Sequence, residues 1–254
     1  MDKPGIVSKV TSLLVPAGRA ARSIKTGPFR GLKMQIDLSC QKQLYVGVFE
    51  REVCRWLRRF SPNINTAFDI GAGEGEYTLY FLARTQARKV FAFEPLQTMR
   101  SILAANLKLN HLADEPGLVV SPKLVGSRDN DRECSLRSLL GQISPPCLIK
   151  IDVDGAEADI LRGAGPLLDA DQTYWIVETH SKELERQCIS MFVSHGFNTV
   201  IVPNAWWRVI LPESRSVEQN RWLVAMKPRE ASRTGGDGQE GSVKSKGFLL
   251  DVYV

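Results

Sequence analysis

"FDIGAGEGEYT", residues 68–78, sets glycines at 71, 73 and 75 directly behind an apolar run that ends in Asp69. Such a turn lets a ligand lie against bare backbone, because glycine has no Cβ and tolerates positive φ. The dinucleotide fingerprint G-x-G-x-x-G needs its third glycine one place later, where this chain has Glu76. No G-K-[ST] follows, which excludes a P-loop. Glu74 and Glu76 crowd the same turn. Their charge repels a pyrophosphate and suits a cationic ligand.

The neighbouring run, "KVFAFEP" (89–95), ends in Glu94, 19 residues beyond Gly75. A carboxylate at that distance fits the two hydroxyls of a ribose, and Pro95 stops the strand where that side chain is needed. The site therefore asks for an adenosine-like ligand with no pyrophosphate and with positive charge. S-adenosylmethionine meets all three requirements.

Outward from this turn, the runs "TAFDI", "KVFAFEP", "GLVVSPKLV", "CLIKIDV", "TYWIVET", "FNTVIV" and "RWLVAM" alternate for most of their length with helical stretches. This alternation predicts an α/β fold, a mostly parallel sheet with helices on both faces. A Trp- and Pro-containing segment (203–216) separates the last two runs, which predicts an antiparallel pair. Upstream, "YVGVFEREVCRWLRRF" (45–60) places apolar residues at gaps of three and four, the pattern of one amphipathic helix.

"FDIGAGEGEYTLYFL" followed by "VFAFEP" resembles the first two motifs of class I S-adenosylmethionine-dependent methyltransferases. "LIKIDVDGAEADILRGA" and "IVETHS" are similar to the signature of the FkbM-type family within that class. "QKQLYVGVFERE" and "LAANLKLN" are similar as well. The likeness covers about residues 28–226 and is most specific over 147–164.

The resemblance implies a Rossmann-like sheet of seven strands, the last antiparallel, and methyl transfer to a hydroxyl of a sugar, glycan or small metabolite. It implies that Asp69, Gly71, Ala72, Gly73, Gly75, Tyr77, Thr78, Glu94, Pro95, Gly126 and Asp152 hold the cofactor. The chain departs from the pattern at Ser127 and Arg128, where related proteins often carry an acid. An NAD-type oxidoreductase, a non-catalytic adenosyl-cofactor binding protein and an RNA methyltransferase are the alternatives.

For the chemistry, "KIDVDGAE" alternates Lys150, Asp152 and Asp154 on one strand face. A structural Lys–Asp pair competes there with a functional role, since charge inside a strand must be paired. Asp152, Glu178 and His180 are the candidate catalytic residues. Asp152 or His180 is read as the direct base for an acceptor hydroxyl. A divalent ion held by the three is the alternative, and no metal ligand is assigned. His195, before Gly196, reads as the close of its helix. His111 lies in a polar loop. Trp206 and Trp207 are candidate packing or sugar-binding residues.

Composition sets the outer bounds. The chain has 254 residues, 43% hydrophobic and 24% charged, the balance of a globular protein. Five cysteines occur singly, without metal-finger spacing, and read as reduced and mostly buried. The net charge is +5. Residues 1–33 hold seven Lys/Arg against Asp2, so the remainder is close to neutral and unlike a nucleic-acid-binding surface. The sequence divides into a basic arm (1–27), which suits weak contact with a membrane surface or simple solvation, a domain (28–228) and a polar tail (229–254). The closing "FLLDVYV" has the look of a strand. With no spanning or signal-like run, a cytoplasmic setting is expected.

Overall fold

The computed structural model describes residues 18–205 and 221–228, and the short apolar runs of the sequence become its strands. They are β1 (Arg19–Ser23), β2 (Lys33–Asp37), β3 (Thr66–Ile70), β4 (Lys89–Phe93), β5 (Leu118–Ser121) and β6 (Leu124–Gly126). β7 (Glu133–Ser135), β8 (Cys147–Ile151), β9 (Thr173–Thr179), β10 (Asn198–Val202) and β11 (Arg221–Met226) follow. The helices are α1 (Lys42–Val46), α2 (Cys54–Phe60), α3 (Glu76–Arg84), α4 (Gln97–Leu109), α5 (Glu157–Arg162) and α6 (Lys182–Ser194).

Seven strands form one sheet in the order β5-β4-β3-β8-β9-β11-β10. Pairings among β5, β4, β3, β8 and β9 are parallel, and β11 runs antiparallel to both neighbours. This is the Rossmann-like α/β arrangement. β3 and β8 are buried at every position, as the middle of a sheet covered on both faces requires. Alternation sorts their side chains. Ala67 and Leu148 enter a core shared with α2, α3 and α4, while Phe68, Ile70, Ile149 and Ile151 enter one shared with α5 and α6.

The same alternation carries charge. Asp69 and Lys150 are register partners across β3 and β8, so they point to the same face, on the α3 side. Asp152 and Glu178 continue that face past or near the carboxyl ends of β8 and β9. In open α/β sheets this is where ligands bind.

Two expectations are corrected. The helix read across 45–60 is divided: α1 ends at Gly47, where φ is 86°. A Cβ there would stand 2.1 Å from the carbonyl oxygen of Thr26, so only glycine fits the turn. Glu50 then adopts a left-handed φ of 46° before a 3-10 turn and α2, where Trp56, Leu57 and Phe60 retain the buried face. Second, "GLVVSPKLV" is two strands, β5 and β6, separated at Pro122; β6 pairs with β7 in a separate small sheet. Within the basic arm, Arg19–Ser23 forms β1, which pairs antiparallel with β2.

Among the described residues, Cys54, Cys134, Cys147 and Cys188 are buried and Cys40 is exposed, all as free thiols. Burial pushes the Cys54 thiol up to about 11, a packing thiol rather than a nucleophile. No described helix is long and apolar enough to cross a membrane. The Trp206–Trp207 pair, the tail and its final "FLLDVYV" lie outside the described residues, as do residues 1–17.

Candidate functional site

A cleft of about 770 Å³ opens at the carboxyl ends of β3, β4, β8 and β9. Its floor is the glycine turn. Gly71 has a φ of 75°, and a Cβ on it would stand 1.9 Å from the carbonyl oxygen of Asp152. The glycine thus lets two loops touch backbone to backbone. Gly73, with a φ of 53°, has nothing within 4 Å of where its Cβ would be. That open space is the cleft, and a ligand can lie against it. Gly75 serves packing: a Cβ there would meet Leu103 of α4 at 2.2 Å.

Glu94 closes one wall. Its Oε2 accepts from the Gly73 backbone N–H at 2.9 Å and its Oε1 from that of Leu96 at 2.8 Å. The carboxylate is therefore locked in orientation at the edge of the turn, with lone pairs remaining on both oxygens for further donors. Pro95, Leu96, Met99, Leu124 and Val125 add an apolar rim. Ala72, Gly73 and Tyr77 also line the cleft.

Asp69, Gly75, Thr78 and Gly126 are not among the lining residues. Thr78 donates to Asp69 at 2.6 Å beneath the floor, and Lys150 Nζ stands 3.3 Å from Asp69 and 2.9 Å from the Gly71 carbonyl oxygen. Burial raises the Asp69 carboxyl, opposed by Lys150 and the Thr78 hydrogen bond. Burial pulls the Lys150 ammonium down, but Asp152 and Asp69 outweigh it and hold the charge. The structural Lys–Asp pair is therefore real: it braces the glycine turn from below. Gly126 packs against α5, where a Cβ would meet Glu133 and Asp159.

The third wall brings Asp152, Glu178 and His180 together. One donor atom from each lies within 4.8 Å of the others. His180 precedes Ser181, whose side chain caps α6 by accepting from the Leu184 N–H. The imidazole's Nδ1 is 2.5 Å from Oε1 of fully buried Glu157, on α5. Its Nε2 faces Asp152 Oδ1 at 3.8 Å, Glu178 Oε2 at 3.7 Å and Asp154 Oδ1 at 3.8 Å. Burial lowers the His180 pKa, but Glu157 and the facing carboxylates raise it by more. His195 lies apart, at the end of α6 and 2.8 Å from Asp169, and His111 sits exposed in a loop.

Sequence reasoning missed three participants. Glu157 orients His180 and is visible only as the acid of "DGAE". Glu50 receives the Tyr77 hydroxyl at 2.5 Å. Arg19, on β1, holds Glu74 of the glycine turn with two bonds of 2.6 Å, and Gln41 adds a third at 2.8 Å. These are contacts between residues 23 to 55 apart in sequence, and no local pattern announces them.

Residues 125–201 match the family described as the methyltransferase FkbM domain. The fold is similar to that of methyltransferase FkbM from Methylobacillus flagellatus KT, with a TM-score of 0.52 and 15% identity. That match covers 64% of this chain and 43% of the other, so this chain corresponds to less than half of that protein's length. A ribosomal protein L11 methylase from Lactobacillus delbrueckii subsp. bulgaricus gives a TM-score of 0.46 at 12% identity, covering 70% and 77% of the two chains. An rRNA methylase from Streptococcus thermophilus gives 0.45 at 13%, covering 70% and 96%. No curated protein matches significantly. The domain match falls on the strands and loops that supply Asp152, Glu157, Glu178 and His180, so residues 125–201 are similar to an FkbM-type methyltransferase domain.

Proposed function

We propose that this chain transfers a methyl group from S-adenosylmethionine to a hydroxyl oxygen of a sugar, glycan or small metabolite. One observation carries the reading. The open backbone at Gly73, the fixed Glu94 carboxylate and the Asp152–Glu178–His180 cluster share a single cleft. The residues fit the cofactor. A Cβ at Gly73 would project into the space a ligand would fill. Glu94 has acceptor capacity left for ribose hydroxyls. Glu74 is already paired with Arg19, which leaves Glu76 as the acid of the turn that suits positive charge and opposes an NAD-type pyrophosphate.

Bound there, the cofactor supplies an electrophilic methyl group on a sulfonium. The chain's part is to hold two reactants in line, which can supply a large share of the rate, and to help an alcohol lose its proton. Glu94 and the glycine turn position one reactant. Asp152, Glu178 and His180 present oxygen and imidazole groups where the acceptor hydroxyl would enter, and the apolar rim of Leu96, Met99, Leu124 and Val125 limits water at the other end.

The test is methyl transfer with radiolabelled S-adenosylmethionine over a cell extract, with the product identified by mass spectrometry. A labelled methoxy product on a small molecule or glycan is expected. Tight NADH binding without binding of S-adenosylhomocysteine would overturn the reading.

A further inference from the structure

We infer that Asp152, Glu178 and His180 form a binding site for one divalent cation of the magnesium–manganese class. This rests on the methyl-transfer reading for its purpose, not for its geometry. It replaces the direct base expected from the sequence.

The argument begins at Glu157. This carboxylate is fully buried and its Oε1 sits 2.5 Å from His180 Nδ1, which fixes Nδ1 as the hydrogen-bond donor. Nε2 is then the nitrogen left to act as a ligand. A histidine bound to a metal through one nitrogen commonly has its other held by a carboxylate in this way. The His180 side chain is only 9% exposed, and its Nε2 is aimed between Asp152, Glu178 and Asp154. The separations of 3.7–3.8 Å are too long for hydrogen bonds.

Those separations suit an ion better than they suit direct contact. Donors about 2.1 Å from a shared ion lie about 3.0–3.4 Å apart at octahedral or tetrahedral angles. His180 would need to approach Asp152 and Glu178 by only a few tenths of an ångström to reach that spacing, and all three donors already lie within 4.8 Å of one another. Asp152 can serve two cations at once, since Oδ2 faces Lys150 at 3.5 Å while Oδ1 faces His180.

Donor chemistry narrows the ion. One imidazole nitrogen with two carboxylate oxygens contains no thiolate, and manganese accepts both of its donor types. Three protein donors leave coordination positions open, with exposed Asp154 at the mouth. A hydroxyl taken up there would have its pKa lowered by the ion, which assigns the acceptor a hydroxyl group able to coordinate metal.

The experiment titrates the full chain with Mn²⁺, followed by electron paramagnetic resonance and calorimetry, with S-adenosylhomocysteine affinity measured on the same samples. One Mn²⁺ per chain is expected, with nitrogen modulation from a bound imidazole. His180→Ala and Glu178→Gln should each weaken it at least about tenfold. Glu157→Gln, which touches no ion, should weaken it about 10–100-fold through the freed imidazole. S-adenosylhomocysteine affinity should stay within a few-fold in each variant, which also reports that the fold is intact. Absence of stoichiometric Mn²⁺ binding at millimolar concentration, or undiminished binding in His180→Ala, would overturn the inference. If the wild-type chain bound Mn²⁺ but not S-adenosylhomocysteine, the methyl-transfer reading would fail and the ion site would stand.

Discussion

The two halves of the cleft are built from different materials. The Gly71–Glu94 half is mainly backbone: positive-φ glycines and N–H groups shape it, and the Glu94 carboxylate is clamped by two N–H groups. The Asp152–Glu178–His180 half is entirely side chain, gathered from the ends of β8 and β9 and oriented from α5. A backbone-built site tolerates almost no change in residue size. A side-chain-built site tolerates size changes but not changes of charge or donor.

The sharpest way to break that contrast is Asp152→Asn, which keeps the shape and removes the charge. As the loss of an ion ligand, it should lower kcat by at least about 10–100-fold while S-adenosylmethionine affinity, measured by calorimetry, stays within a few-fold. Equal loss of cofactor affinity would mean that the halves are not separable. Gly73→Val is the reciprocal change. A β-branched residue at a φ of 53°, with its side chain in the cleft, should weaken cofactor binding by about 2–4 kcal/mol, strain and occlusion together. Binding at wild-type strength would show that no ligand lies against this turn.

Glu94→Ala sharpens the comparison from within the first half. It should cost about 1.5–3 kcal/mol of cofactor affinity, the scale of hydrogen bonds to a charged group. A smaller loss for adenine-only ligands than for nucleosides would locate the effect at the ribose.

The smallest effect is one of pH. Burial, with Glu74 next, pushes the Glu76 carboxyl up to about 7. Its folded pKa thus lies above its unfolded value of 4.5, so the folded state binds more protons between the two. Glu76 therefore opposes folding increasingly as pH rises from about 4.5 to about 7, and no further above that. A cationic ligand beside it favours the ionised form. S-adenosylmethionine binding near pH 7 should therefore release a fraction of a proton, and Glu76→Gln should abolish that release. Calorimetry in buffers of different ionisation enthalpy measures it.

The same division explains what could be read from sequence. The sheet was legible because fully buried parallel strands such as "TAFDI" and "CLIKI" are short apolar runs with charge only where a neighbour pairs it. The glycine turn was legible because its geometry excludes every other residue. Asp152, Glu178 and His180 were visible as polar residues at strand ends, and the structure brings them together. Asp69, Thr78 and Gly75 were read as ligand contacts from the motif and Gly126 from the resemblance. The first three pack beneath or behind the turn and Gly126 against α5, and spacing along the chain does not separate a contact from its support. Arg19, Glu50 and Glu157 could not be found, since each acts on a residue 23 to 55 positions away. The helix across 45–60 misread a true periodicity, because the break at Gly47 is imposed by the close approach of Thr26.

The clamp of Arg19 on Glu74 also has a meaning in time. β1 and β2 are synthesised first, yet their fastenings come later: Glu74 follows Arg19 by 55 residues, and Asn106 of α4 bonds the Gln35 N–H across 71. Lys150, which ties the Gly71 carbonyl, arrives 79 residues after that glycine. A growing chain therefore carries an open glycine turn until β8 has emerged, since contacts so distant in sequence form slowly. Cofactor can capture only the finished arrangement, and by mass action it then stabilises the whole chain in proportion to the logarithm of its concentration.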